Sequence, residues 1–260
     1  MENIAVIGLG NMGTSLIEGI LSANIISPDN IWATRKHTEK SLDLIQQGVH
    51  VINNNIKAVE NAKIIFIALK PDVVPLVLDE IHPVIHEEHI LISIASGTSI
   101  KEINDIIGDK PGIFRAMPNT ASGVGEGVTC IATNSEDEES LNRVKLLFNH
   151  LGKSIVIDEN LMDSATIIGA CGVAYALRFM RSMIQGAIQI GFDSNTATEI
   201  VTQMVKGSAE LLIQNGKHPE EEIDRVTTPM GCTITGLNEM EHQGFSSALI
   251  KGIVASFEKI

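Results

Sequence analysis

Ile4-Ala5-Val6-Ile7-Gly8-Leu9-Gly10-Asn11-Met12-Gly13 is the stretch on which the fold turns. An apolar run without polar alternation enters a G-x-G-x-x-G spacing, and Asn11–Ala23 then carries helical periodicity. A strand that is apolar throughout is covered on both faces, as in a parallel sheet wrapped by helices. In that setting the glycines have separate tasks. They allow a tight turn, let the backbone approach a pyrophosphate, and let the helix pack against the strand. The free amides at the helix start then hold the anion. The spacing alone is common; its place between strand and helix gives it meaning.

Outward from this stretch, further strands are expected at Ile31–Thr34, Lys63–Ala68, His89–Ile94, Ile113–Met117, Thr129–Thr133 and Ser154–Ile157, with helices at Asp72–Ile81 and Glu138–Leu151. This alternation implies an α/β Rossmann-type N-terminal domain over residues 1–158, a doubly wound and mostly parallel sheet. After Asp158 the texture changes. Helical periodicity runs through Ala165–Ile190, Ser194–Gln214 and Phe245–Glu258, with Gly191 and Gly216 at expected stops. Residues 159–260 are therefore expected to form an all-α C-terminal domain. Its apolar faces, including Val173, Leu177, Met180, Ile184 and Ile188, are broad for so little helix. Sharing them in a homodimer is the expectation, and an ordinary bundle core is the alternative.

Composition narrows the function classes. The 260 residues carry a net charge of −13, which argues against a nucleic-acid partner. One Trp, one Tyr and seven Phe give few rings for base stacking. Cys130, Cys171 and Cys232 lack C-x-x-C spacing and read as reduced thiols. The eight histidines show no H-x-x-x-H pairing, so no metal site is expected. The apolar stretch Ser164–Phe192 is interrupted by Arg178 and Arg181, which argues against a membrane partner. The expected location is the cytoplasm.

The end of the second strand bears on the cofactor. An NAD site usually has Asp or Glu there for the ribose hydroxyls. This chain has Ala33-Thr34-Arg35-Lys36, where a guanidinium can receive a ribose phosphate. NADP(H) is favoured and NAD(H) possible; a solvated surface pair is the alternative reading of Arg35 and Lys36.

Three more segments fall at the ends of successive strands: Ala68-Leu69-Lys70-Pro71, Ser93-Ile94-Ala95-Ser96-Gly97 and Arg115-Ala116-Met117-Pro118-Asn119-Thr120. Further on come Asp163-Ser164-Ala165-Thr166, Ala174-Tyr175 and the stretch Val226-Thr227-Thr228-Pro229-Met230-Gly231-Cys232-Thr233-Ile234-Thr235-Gly236-Leu237. In this order the set resembles the pyrroline-5-carboxylate reductase family over essentially the whole chain. The resemblance implies NAD(P)H-dependent reduction of 1-pyrroline-5-carboxylate to proline, and a C-terminal dimerisation domain. It implies cofactor binding by Gly8, Gly10, Asn11, Met12, Gly13, Thr34, Arg35, Asn55, Ala68, Leu69, Lys70, Pro71, Ala95, Ser96 and Gly97, with Asn119 and Thr120 beside the nicotinamide. It makes Thr233 the catalytic residue that hydrogen-bonds the imine nitrogen, and places substrate on Met230, Gly231, Cys232 and Thr233. Capping a helix start is the other task open to Thr233.

The chain departs from the family pattern at three places. Gly169-Ala170-Cys171-Gly172-Val173 stands where the family shows S-G-S-G-P. Thr228, Met230 and Cys232 occupy the first, third and fifth positions of S-P-G-G-x-T. Ala121-Ser122-Gly123 lacks the proline that commonly follows M-P-N-T. Met230 adds bulk where the family usually has none. Two other functions fit the same plan: a β-hydroxyacid dehydrogenase, and a non-catalytic NADP-binding regulatory protein. The first needs a general base, commonly a lysine in the long helix, where this chain has only Arg178 and Arg181.

Overall fold

Alternate residues of β1 (Ile4–Ile7) feed two separate cores: Ile4 and Val6 one, Ala5 and Ile7 the other. All four are buried because helices cover both faces of the sheet. The computed structural model describes residues 2–108 and 111–260. Among them, the strands after β1 are β2 (Ile31–Thr34), β3 (His50–Ile52), β4 (Ile64–Ile67), β5 (Ile90–Ser93), β6 (Gly112–Met117), β7 (Gly127–Thr133) and β8 (Gly152–Val156). Their order across the sheet is β3-β2-β1-β4-β5-β6-β7-β8. All neighbouring pairs are parallel except β6 with β7, so the last two strands run against the first six. This is the doubly wound, mostly parallel sheet expected. β3, an edge strand of three residues, lies outside the runs expected from sequence.

The helices of this half are α1 (Asn11–Ser22), α2 (Leu42–Gln46), α3 (Asn55–Glu60), α4 (Val74–Ile81), α5 (Ile100–Ile107) and α6 (Glu138–Asn149). Leu16, Ile17 and Ile20 of α1 pack with Val144, Leu147 and Phe148 of α6 on one face. Val59 of α3, Leu78 of α4 and Ile103 of α5 pack on the other. Burial of such large aliphatic side chains stabilises by roughly 1.5–3 kcal/mol each, and holds the strand ends in place.

Helical structure continues as α7 (Met162–Ala165), a π turn (Thr166–Cys171), α8 (Gly172–Gln189), α9 (Ser194–Asn215), α10 (Pro219–Val226), α11 (Cys232–His242) and α12 (Phe245–Phe257). The chain divides into two compact units between Cys171 and Gly172. That boundary is later than the change of sequence texture at residue 158. Met162 shares a small core with Met117 and Ala132, which holds the first helical turns to the α/β unit.

In the second unit, Tyr175 of α8 donates to Ser256 Oγ of α12 at 2.7 Å, and Phe179 lies 6.2 Å from Phe245. No residue of α8, α11 or α12 is buried within the chain. Leu177, Ile213 and Ile250 are all more than half exposed. By length and composition, Glu159–Gln189 is apolar enough to cross a membrane. Broad apolar helix faces of this kind are covered by something outside the chain.

Candidate functional site

The parallel register gathers the candidate residues of the first unit along one edge of the sheet. Ile7 of β1 is level with Thr34 of β2 and Ile67 of β4, and Ile67 is level with Ser93 of β5. The segments beginning at Gly8, Arg35, Ala68 and Ile94 therefore emerge together. Strand order reverses between β1 and β4, and that switch point is where such sheets open a ligand crevice.

The glycines of the first turn divide their tasks as the motif requires. Gly8 has φ 105°, and a Cβ on it would meet Ala68 O at 2.6 Å. A Cβ on Gly13 would collide with Gly8 O. Gly10 is different: a Cβ there would meet nothing within 4 Å. The space before Gly10 is open, as a pyrophosphate needs. Gly10 N-caps α1 with no side-chain cap and no acidic residue in the first turn. The amides of Asn11, Met12 and Gly13 are thus left for an anion. The chain fits a dinucleotide.

Thr34 is buried and takes a part that the sequence does not reveal. Its Oγ1 accepts from Gly8 N at 3.2 Å, and its carbonyl accepts from Leu9 N at 3.0 Å. It fixes the glycine turn from the neighbouring strand. Arg35 follows, with Nη1 donating to Ser41 Oγ at 3.1 Å and reaching Lys40 O at 3.5 Å. Among the described residues no carboxylate forms an ion pair with Arg35. Its charge remains available for a phosphate.

The other segments sit on the same edge. Asn55 opens α3 and donates to Glu80 Oε2 at 2.9 Å. Ala68 and Leu69 are half-buried, while Lys70, Pro71, Ser96, Gly97 and Thr120 are exposed and Ala95 is buried. Asn119 is buried with both ends of its amide engaged. Its Oδ1 accepts from Ala121 N at 3.1 Å, and its Nδ2 donates to Gly169 O at 2.9 Å. It ties the end of β6 to the π turn.

Sequence reasoning missed a polar cluster beneath this edge. Arg115 is 6% exposed and donates from Nη1 to Glu159 Oε1 at 3.1 Å. The same Oε1 accepts from Ile100 N, at the start of α5, at 2.7 Å. Arg115 Nε and Ser93 Oγ, on residues level in β6 and β5, have no partner among the described residues. A charged residue inside an apolar strand was the available signal. On neighbouring β7, burial pushes the Cys130 thiol pKa up, away from reactive thiolate.

In the second unit, Met230 and Gly231 lead into α11. Gly231 N donates to Thr228 O at 2.9 Å, closing a turn, and Gly231 N-caps α11 with no side-chain cap. Thr233 is therefore not the cap of its helix, and its hydroxyl sits exposed beside the free first amides. A Cβ on Gly231 would stand 2.5 Å from Thr228 Oγ1, so any larger residue there would have to displace the Thr228 hydroxyl. Cys232 is exposed on the first turn of α11. His218, at the start of the preceding helix, caps α10: its Nδ1 accepts from Glu220 N at 3.3 Å.

Comparison with known proteins gives a consistent picture. Residues 159–260 match the family model for pyrroline-5-carboxylate reductase dimerisation. Residues 3–97 match the model described as NADP oxidoreductase coenzyme F420-dependent. Pyrroline-5-carboxylate reductase 1 of Dictyostelium discoideum is 41% identical over 270 residues, covering 99% of this chain and 49% of that protein. The chain thus spans about half the length of that relative. Pyrroline-5-carboxylate reductase 2 of the same organism is 38% identical, covering 99% of this chain and 92% of the relative. The crystal structure of Plasmodium falciparum pyrroline carboxylate reductase with NADP bound superposes with a TM-score of 0.90 at 30% identity, over 99% of this chain and 96% of that one.

Proposed function

The chain belongs to the pyrroline-5-carboxylate reductase family, and we propose that it reduces 1-pyrroline-5-carboxylate to proline with NADPH. The observation that carries the reading is an open dinucleotide cradle at Gly10 in a chain similar to these reductases along its whole length. NADPH, when bound, supplies the hydride for the imine carbon.

The chain's own residues have the lighter work of holding and orienting. Gly8, Gly10, Asn11, Met12 and Gly13 take the pyrophosphate, and Arg35, braced by Ser41, takes the ribose phosphate. Asn55, Ala68, Leu69, Lys70, Pro71, Ala95, Ser96 and Gly97 border the cofactor, with Thr120 beside the nicotinamide. Asn119 acts from behind, as a positioning residue, through Ala121 and Gly169. The amides of Cys232 and Thr233 receive the substrate carboxylate, an anion suited to a helix start, while the Gly231 amide closes the turn that leads into them.

The imine nitrogen arrives protonated, and the Thr233 hydroxyl accepts from that N–H. As the new C–H bond forms, the C=N π pair moves onto nitrogen, giving a secondary amine that the same hydroxyl still orients. No side chain need give up a proton in the hydride step. This suits a site whose shared motifs contain no histidine base.

Residues 1–158 are read as the cofactor domain and 159–260 as the dimerisation and substrate domain. The uncovered faces of α8, α11 and α12 then meet a second copy. The proposed location is the cytoplasm. The rival dehydrogenase reading lacks its base, since α8 contains Arg178 and Arg181 and no lysine. Following NADPH oxidation with 1-pyrroline-5-carboxylate, and NADP reduction with simple β-hydroxyacids, separates the two. Turnover with the hydroxyacids alone defeats the proposal, and NADPH binding with no turnover supports a regulatory protein instead.

A further inference from the structure

Thr228-Pro229-Met230-Gly231 is a tight turn with the wrong residue at its third position. Gly231 N donates to Thr228 O at 2.9 Å, Pro229 is second, and Met230 has φ 61°. Proline second and positive φ third is the type II pattern, which favours glycine or asparagine at that third place. Among the described residues, only Asn24 and Met230 combine a side chain with positive φ. Asparagine tolerates this conformation through local hydrogen bonding; methionine has no such means.

Among the described residues no contact offsets that strain. The Met230 side chain is 100% exposed, so it packs against no neighbour. Its backbone immediately precedes Gly231, the N-cap residue of α11, which offers no side-chain cap to the free amides that follow. An unbranched, polarizable thioether chain adapts readily to an apolar surface brought against it. A strained residue with no intrachain contact is a reason to look for its partner among bound molecules.

We propose that Met230 is a specificity-determining residue, which closes over the ring of a substrate anchored by its carboxylate at the α11 amides and selects a five-membered imine over larger ones. This rests on the function proposed above. Apolar contacts of this kind discriminate one methylene by about 10- to 200-fold. Met230 thereby narrows a site that glycine would leave open.

The test compares kcat/KM with NADPH for 1-pyrroline-5-carboxylate and for its homologue with one more ring methylene. Wild type, Met230→Gly and Met230→Leu are measured. Met230→Gly should lower the five- to six-membered preference at least about 10-fold. Met230→Leu, of similar volume, should keep it within about threefold. Met230→Gly should melt no lower than wild type, because glycine suits the turn. A preference unchanged in Met230→Gly, with wild type active on the pyrroline, overturns the role of Met230 alone. Wild type inactive on both imines overturns the proposed function and this inference with it.

Discussion

Asn119 Nδ2 donates to the carbonyl oxygen of Gly169 at 2.9 Å, across 50 residues of sequence. Gly169 lies within the π turn Thr166–Cys171, where the wider helical repeat takes carbonyls off the ordinary ladder. The other end of the Asn119 amide holds Ala121 N. One buried side chain thus joins the end of β6 to the first turns of the long helix.

Asn119→Ala should leave two part-buried groups, Ala121 N and Gly169 O, without this partner, at about 1–3 kcal/mol in all. The expected result is a lower thermal midpoint, with turnover reduced more than NADPH affinity. Calorimetry and a fluorescence titration of NADPH check the two parts. A melting curve matching wild type would show that neither bond matters.

Arg35→Ala removes the sole guanidinium at the end of β2. Charge-assisted bonds to a phosphate contribute roughly 1.5–3 kcal/mol, which is about 10- to 150-fold in affinity. NADPH binding should weaken by that factor and NADH binding by less than about twofold. Parallel titrations with both cofactors decide it, and equal losses count against the phosphate contact.

Thr233→Ala should lower kcat by about 10- to 100-fold, the loss of one orienting hydrogen bond to a charged group. NADPH affinity should stay as it is. Since Gly231 rather than Thr233 begins α11, the thermal midpoint should move little. Unchanged turnover would remove Thr233 from the chemistry.

Buried His89, 2% exposed, accepts from His86 N through Nδ1 at 3.1 Å, which requires the neutral ring. Burial first, then the charge of His86, lowers its pKa from 6.5 to about 4. Between those values the unfolded chain binds more protons than the folded one. Stability should therefore be fully present above pH 6.5 and fall as pH drops toward 4, by at most about 3 kcal/mol. Urea midpoints at pH 7, 5.5 and 4.5 for wild type and His89→Leu measure this. A wild-type slope no steeper than the variant's would rule His89 out as the cause.

The parts of the fold that were legible in the sequence have strong local signals. Ile4–Ile7 announces a buried strand by its composition, and Gly8–Gly13 announces the turn and helix after it. β3 was hidden because three residues on a sheet edge, beginning with exposed His50, carry no apolar run. α5 is short, yet Ser99 and Glu102 form a capping box that stands in the sequence as S-x-x-E. α10 was obscured by Pro219, which sits in the first turn as helix starts allow, with Glu220, Glu221 and Glu222 beside it. The candidate site follows the same logic. Strand ends could be read locally, whereas the bracing of Arg35 by Ser41 and of Arg115 by Glu159 depends on tertiary contact.

Thr34 gives the two proposed phosphate grips a common mount. Its hydroxyl and carbonyl hold Gly8 and Leu9, and its own peptide carries Arg35. An engineer who replaces Thr34 itself with an acidic residue to favour NADH would disturb the glycine turn as well. Cofactor exchange here has a safe position and an unsafe one: a change at Arg35 leaves these two bonds in place, whereas one at Thr34 takes the hydroxyl away from Gly8.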